Sequence, residues 1–116
     1  MDKGGSRLSS GIEVAGLLRR VEASGDFAVV LRKGDEDRGA ILVLVASRGR
    51  HIACLERLLS LDGDYIWRPT GPGADAGSTE IRDFLEKRAR FDADSWAIEL
   101  DIADPQRFIA EMGLTG

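Results

Sequence analysis

Residues 32–46 read RKGDEDRGAILVLVA, a charged loop that runs directly into the most apolar segment of the chain. The segment 40–46 contains no polar side chain, whereas a strand with one solvated face alternates apolar and polar residues. An unbroken apolar run of this kind is typical of a strand covered on both faces. The sequence therefore predicts a central strand over 40–46, with Ile41, Val43 and Val45 on one face and Leu42 and Leu44 on the other.

A second strand is predicted just before the charged loop, over residues 26–32. Its alternation places Phe27, Val29 and Leu31 on one face and Ala28 and Val30 on the other. The link to the central strand contains glycines and aspartates, which favour turns. We therefore expect the two strands to form a β-hairpin closed by a charged loop.

The acidic part of that loop has two interpretations. Asp35, Glu36 and Asp37 could hold a cation or act as acid–base groups, but their spacing does not fit a calcium-binding loop. Basic residues close by would also compete for the carboxylates. We favour a solvated turn whose charges protect the neighbouring apolar strand from aggregation.

The alternative hypothesis is a small-molecule or anion-binding protein, or an enzyme, whose site lies at the charged loop 32–38. Its candidate ligand-binding residues are Arg19, Arg20, Arg32, Asp35, Asp37 and Arg38, beside the glycine-rich loop 69–77. That glycine-rich loop matches neither a P-loop nor a dinucleotide-binding fingerprint. Arg19 and Arg20 are also explained by a solvated helix face near a helix C-terminus, where cations suit the helix dipole.

Length and composition are those of a soluble globular chain: 116 residues, 43% hydrophobic and 31% charged. Such a chain folds as one domain, which we place at 10–116 after a flexible N-terminus at 1–9. A net charge of −4 argues against a dedicated nucleic-acid binder, although Arg19, Arg20, Arg48 and Arg50 could form a basic patch. A single cysteine and a polar N-terminus indicate a cytoplasmic protein, and no stretch is long enough to span a membrane.

The first helix is predicted to begin at a capping box formed by Ser10 and Glu13 and to end before Gly25. Residues 51–61 also fit a helical stripe, but we choose a strand because a meander gives it a partner. The polar face of the strand over 96–102 suggests an edge strand or a partly exposed strand. The remaining elements are a strand over 64–68, a loop over 69–77, a helix over 78–90 and a helix that starts at Asp104-Pro105 and ends at Gly113.

His51 and Cys54 are the only histidine and cysteine. A His-x-x-Cys pair is too small for a zinc site, and on a strand the two side chains point to opposite faces. A buried small cysteine and a surface histidine explain them better than a nucleophilic pair. Trp67 and Trp96 are interpreted as core residues rather than as the lining of a groove.

Three motifs together resemble a known family: LLRRVEASGDFA at 17–28, RKGDEDRGAILV at 32–43 and RFDADSWAIE at 90–99. As a set they are similar to the small bacterial family catalogued as domain of unknown function 1491. The resemblance covers most of the chain. It implies a short stand-alone bacterial protein without an assigned activity, and it carries over no catalytic residues.

The fold that the sequence favours is α+β, with an antiparallel meander sheet of about five strands and three helices packed on it. The function that it favours is a non-enzymatic interaction or regulatory domain, as a homodimer or with a protein partner. The homodimer would form through an edge strand or the tryptophan-bearing face. We expect no catalytic residues, no metal and no cofactor.

Overall fold

A computed structural model describes residues 9–112, which form three helices and five strands. The elements are α1 Ser10–Ala23, β1 Phe27–Arg32, β2 Ile41–Ser47, β3 Arg50–Leu59, β4 Tyr65–Pro69, α2 Ser78–Phe91, β5 Trp96–Asp101 and α3 Pro105–Glu111. The α+β class is confirmed, and so is the strand assignment for 51–61. The predicted flexible N-terminus at 1–9, apart from its last residue, and the predicted helix end at Gly113 lie outside the described residues.

The five strands form one sheet in the order β1-β5-β2-β3-β4. Strands β2, β3 and β4 are an antiparallel meander as expected, but β2 and β5 are parallel, so the sheet is mixed. The predicted hairpin of β1 and β2 is wrong, because β5 lies between them and pairs with both. The charged loop between β1 and β2 is long enough to span the width of the intervening strand β5. A tight hairpin turn is too short to do this.

Strand β5 was expected to be an edge strand or a partly exposed one, and it is the second strand of the sheet with one exposed position on its polar face. Its inward face carries Ile98 and Leu100, which are fully buried, while Glu99 on the opposite face is exposed. A polar face indicates that no helix covers that part of the sheet. It gives no information on whether the strand has a neighbouring strand on each side. The central position predicted for 40–46 is confirmed by β2.

The core is divided between the two faces of the sheet. Helices α1 and α3 cover one face, where Val14, Leu17 and Val21 meet the side chains at 41, 43 and 45. Helix α2 covers part of the other face, where Ile81, Phe84 and Leu85 pack against Leu42, Leu44 and Cys54. Full burial of an aliphatic side chain stabilises a fold by about 1.5–3 kcal/mol at most. The α2 cluster includes residues of β2 and β3 but none of β1.

Candidate functional site

The charged loop 32–38 is held by its own backbone and by the turn before β5. Asp35 Oδ2 accepts hydrogen bonds from the N–H groups of Asp37 at 3.0 Å and Arg38 at 2.8 Å. The Asp35 N–H donates to the carbonyl of Asp94 at 2.9 Å, and Trp96 Nε1 donates to the Asp35 carbonyl at 2.7 Å. Asp35 therefore shapes the turn, which is the use that an Asx turn makes of an aspartate.

The same loop caps the first helix. The N–H of Gly11 donates to the Glu36 carbonyl at 2.8 Å, and the N–H of Ser10 donates to the Asp37 carbonyl at 3.3 Å. The predicted capping box is wrong: the N-cap is Ser9, without a side-chain cap, and the Ser10 hydroxyl donates to the Gly39 carbonyl instead. The loop carbonyls thus satisfy helix N–H groups that an anion would otherwise use.

Arg32 links β1 to the segment that precedes β5. Its terminal NH2 group donates to the Ala93 carbonyl at 2.8 Å, and its Nε is buried without a hydrogen-bond partner among residues 9–112. Asp37 and Arg38 are exposed, and Lys33 forms an ion pair with Glu36 at 3.3 Å. Exposed ion pairs of this kind contribute about 0–1 kcal/mol, so these charges hold the loop only weakly.

Arg19 and Arg20 lie at the opposite end of α1 from the charged loop. From Gly11 to Arg20 the helix rises by about 13 Å. Arg20 also lies at the end of the sheet where β1 begins and β5 ends, since Phe27 pairs with Asp101 there. The structure therefore does not bring Arg19 and Arg20 together with Arg32, Asp35, Asp37 and Arg38.

Arg20 instead borders an open cleft of about 620 Å³ between α1 and α3. The floor of the cleft is apolar and includes Val21, Ile102 and Phe108, while Arg107 lies on its rim. Arg107 is already paired with Glu111 at 3.1 Å. The cleft therefore combines an apolar floor with two guanidinium groups, Arg20 and Arg107, and three carboxylates, Asp26, Asp104 and Glu111.

The glycine-rich loop 69–77 runs along β3 beyond the end of β4. The N–H of Thr70 donates to the Cys54 carbonyl and the N–H of Asp75 donates to the His51 carbonyl, both at 2.9 Å. Asp75 also accepts from Arg50 Nε at 2.9 Å, and this contact raises the pKa of Arg50 and lowers the pKa of Asp75. The loop is thus an extension of the sheet edge.

His51 and Cys54 are both buried, so the prediction of a buried cysteine is confirmed and the prediction of a surface histidine is wrong. His51 Nε2 donates to the Pro72 carbonyl at 3.0 Å, which requires a proton on that nitrogen. Cys54 is 2% exposed, and burial raises the pKa of its thiol to about 12. A thiol in this state is a poor nucleophile at neutral pH. Within residues 9–112, no three His, Cys, Asp or Glu side chains are grouped as metal ligands, and no helix is long and apolar enough to cross a bilayer.

Within residues 9–112, the longest run of exposed large apolar residues lies on β1, an outer strand of the sheet, at residues Phe27–Leu31, which we call the β1 edge. Phe27 is 75% exposed, Val29 50%, Val30 37% and Leu31 46%. The stretch contains neither a charged residue nor a proline. Natural sheets protect their edges with such residues, because free backbone N–H and C=O groups otherwise pair with another chain.

The other edge of the sheet, β4, has the protection that the β1 edge lacks. It contains Arg68 and ends at Pro69, which has no N–H to donate. Strand β1 has a bulge between Val30 and Arg32 and one charged residue, Arg32, both at its C-terminal end, so Phe27–Leu31 has neither kind of protection. The sequence shows the alternation of β1, but the predicted pairing with β2 leaves no free edge there; the uncharged FAVVL stretch is the signal that could have indicated one.

Comparison with known proteins agrees with the sequence resemblance. The family model described as "Protein of unknown function (DUF1491)" matches residues 8–110. A crystal structure of a DUF1491 family protein from Caulobacter crescentus CB15 is 33% identical, with a TM-score of 0.73 over 87% of this chain and 94% of that chain. The NMR structure of a DUF1491 family protein from the same organism is 34% identical, with a TM-score of 0.74 over 90% and 94% of the two chains.

A third similar structure is the solution structure of protein Atu0922 from A. tumefaciens. It is 33% identical, with a TM-score of 0.70 over 82% of this chain and 86% of that chain. No curated protein matches the chain. The match over nearly the whole chain and the agreement in fold lead to one conclusion: the chain belongs to the DUF1491 family, to which no function is assigned.

Proposed function

We propose that the protein is a non-enzymatic interaction domain that binds another polypeptide by strand addition along the β1 edge. The observation that carries this proposal is an edge strand whose residues Phe27–Leu31 are apolar and uncharged, and of which all but Ala28 are exposed. An added strand would take up the free N–H and C=O groups of β1, which supplies affinity. The alternate side chains would supply specificity.

The chemistry-bearing side chains support a binding role over a catalytic one. The Asp35 carboxylate accepts hydrogen bonds from the backbone of its own turn, and the His51 ring donates a hydrogen bond to the glycine-rich loop. Cys54 is protonated and buried. The lone thiol fits a reducing compartment, so we place the interaction in the cytoplasm.

The test is a capture experiment from native cell lysate with three tagged proteins: the unchanged chain, Val29→Lys and Ile66→Lys. Ile66 lies on the other edge strand and is 43% exposed, close to the 50% of Val29, so it is a matched control. A polypeptide retained by the unchanged chain and by Ile66→Lys, and lost with Val29→Lys, is the expected result. Identical eluates from all three proteins would refute the proposal.

A second proposal keeps the small-ligand alternative and places it at the cleft between α1 and α3. The favouring observation is that Arg20 stands beside an apolar floor, which suits a small molecule with one anionic group and an apolar body. The carboxylates of Asp26, Asp104 and Glu111 also line the cleft, and each accepts a hydrogen bond from within the chain. Calorimetric titration with medium-chain fatty acids and aromatic carboxylates tests it. We expect saturable heat that is lost in Arg20→Gln; heat unchanged in that variant would exclude the cleft. The exposed Asp37 and Arg38 would not contribute.

A further inference from the structure

We infer that the polypeptide bound at the β1 edge is a second copy of this chain. The two β1 strands would pair antiparallel about a two-fold axis that passes midway between Val29 of one copy and Val29 of the other. This inference rests on the proposed function and adds the identity of the partner and the register. The pairing would join two five-stranded sheets into one continuous sheet of two copies. A contact of this type is isologous, because each copy offers the same surface to the other.

The register follows from the sequence of the edge. With Val29 opposite Val29 of the second copy, Ala28 faces Val30 and Phe27 faces Leu31, so every cross-strand pair is apolar. Such pairs stabilise a sheet by about 0.2–1 kcal/mol each relative to alanine pairs. Arg32 lies beyond the bulge and donates to the Ala93 carbonyl of its own chain, so the register is carried by the apolar pairs and not by an ion pair. The apolar segment Phe27–Leu31 is therefore complementary to its own reverse.

The neighbouring symmetric registers lack this complementarity. Centring the axis on Ala28 places Asp26 opposite Val30. Centring it on Val30 places Ala28 opposite Arg32 and Phe27 opposite Lys33. Each of these arrangements sets a charged side chain against an apolar one, which disfavours it. Registers centred between two residues would reverse the sheet faces of one copy, which a two-fold axis perpendicular to the sheet does not allow.

The two-fold arrangement also accounts for the uncovered part of the sheet. A perpendicular axis keeps α2 of both copies on the same face. Phe27, Val29 and Leu31 lie on that face, since Ala28 packs on the α1 side, and Leu31 borders a groove beside α2 with Leu85. The apolar strips of the two copies would then lie side by side and shield each other. The bulge after Val30 bends β1 and limits the pairing to a short segment.

Cysteine cross-linking tests the register directly. Directly opposed residues of an antiparallel pair have Cα atoms about 4.5–5.5 Å apart, within the range that a disulfide spans. Val29→Cys should therefore form a disulfide-linked dimer on mild oxidation, while the buried Cys54 stays silent. Phe27→Cys alone should not, because the two positions are offset by about 13 Å along the strands. A mixture of Phe27→Cys and Leu31→Cys should cross-link.

Light scattering gives the mass in solution. We expect twice 12.6 kDa for the unchanged chain and for Ile66→Lys, and 12.6 kDa for Val29→Lys. A monomer at millimolar concentration overturns the inference, and so does a dimer that Val29→Lys leaves intact. If the chain is monomeric and yet Val29→Lys loses a different polypeptide in the capture experiment, the interaction function stands and the second copy is wrong.

Discussion

Cys54 shows how burial alone fixes the chemistry of a residue. Its side chain lies beside Leu42 and Leu44 under α2, and burial raises the pKa of the thiol to about 12. The unfolded thiol ionises near pH 8.5. Above that pH the unfolded state loses a proton that the native state keeps, so the free energy of unfolding falls as pH rises, by up to about 1.4 kcal/mol per pH unit.

We expect this slope to be smaller in Cys54→Ala, although that variant is less stable at neutral pH. Urea denaturation of both proteins between about pH 8 and pH 11 measures how steeply the free energy of unfolding falls with pH in each. The difference between the two slopes is due to the thiol, because tyrosine and lysine titrate in both proteins. Equal slopes would mean that the native thiol ionises as readily as the unfolded one. A native protein that reacts quickly with a thiol reagent would contradict the prediction equally.

Glu56 and Arg88 form an ion pair between β3 and α2, in which the glutamate side chain is 8% exposed and the arginine side chain 21%. Removing the arginine leaves a buried carboxylate without its cation. We therefore expect Arg88→Met to lower the free energy of unfolding by about 3 kcal/mol. The double variant Glu56→Gln with Arg88→Met should recover more than half of that loss in chemical denaturation. A double variant as unstable as the single one would show that Arg88 acts by packing.

At the level of elements, the loop between β1 and β2 depends on close backbone approach. A Cβ atom added at Gly39 would lie 2.1 Å from the Asp94 carbonyl oxygen, and one added at Gly34 would lie 2.3 Å from it. Only glycine allows this contact, which sets the loop against the turn before β5. The two glycines were predicted to give the loop backbone the freedom to turn. In the structure they also allow the turn before β5 to approach the loop backbone closely.

Gly39→Ala should therefore destabilise the protein by about 1–3 kcal/mol, because the backbone of the loop has to move away from β5. Gly16→Ala is the control: it lies within α1, where an added Cβ meets nothing within 4 Å. Alanine favours the helix, so that variant should gain about 0.5–1 kcal/mol. Thermal melts of the three proteins give the order. A Gly39→Ala protein as stable as the unchanged chain would show that the loop is free to shift.

The elements were predictable because each leaves a local pattern in the sequence. The apolar run of β2, the alternation of β5 and the Asp104-Pro105 helix start all lie where the structure has them. The pairing of β1 and β2 was not predictable in the same way. Two strands adjacent in sequence usually pair, and nothing within residues 26–46 reports that a strand from the far end of the chain separates them.

For the whole molecule, the last strand in sequence, β5, joins β1 to the rest of the sheet. Strand β5 pairs with β1 on one side and with β2 on the other, so both of its neighbours come from the N-terminal half. The same scale separates the residues of the predicted ligand site: Arg20 lies at the C-terminal end of α1, and the charged loop with Asp35 lies at its N-terminal end. Local pattern predicts what each element is, and long-range pairing decides what it borders.

Long-range pairing also decides that β1 is an edge strand of the sheet. If two copies pair along β1, the native state is stabilised by association, so the melting temperature rises with protein concentration. We expect such a rise for the unchanged chain and for Ile66→Lys over a hundredfold range of concentration, and none for Val29→Lys. Differential scanning calorimetry measures it. A melting temperature independent of concentration in all three proteins would assign the β1 edge to a different polypeptide, whereas a rise in all three would place the contact between copies elsewhere on the surface.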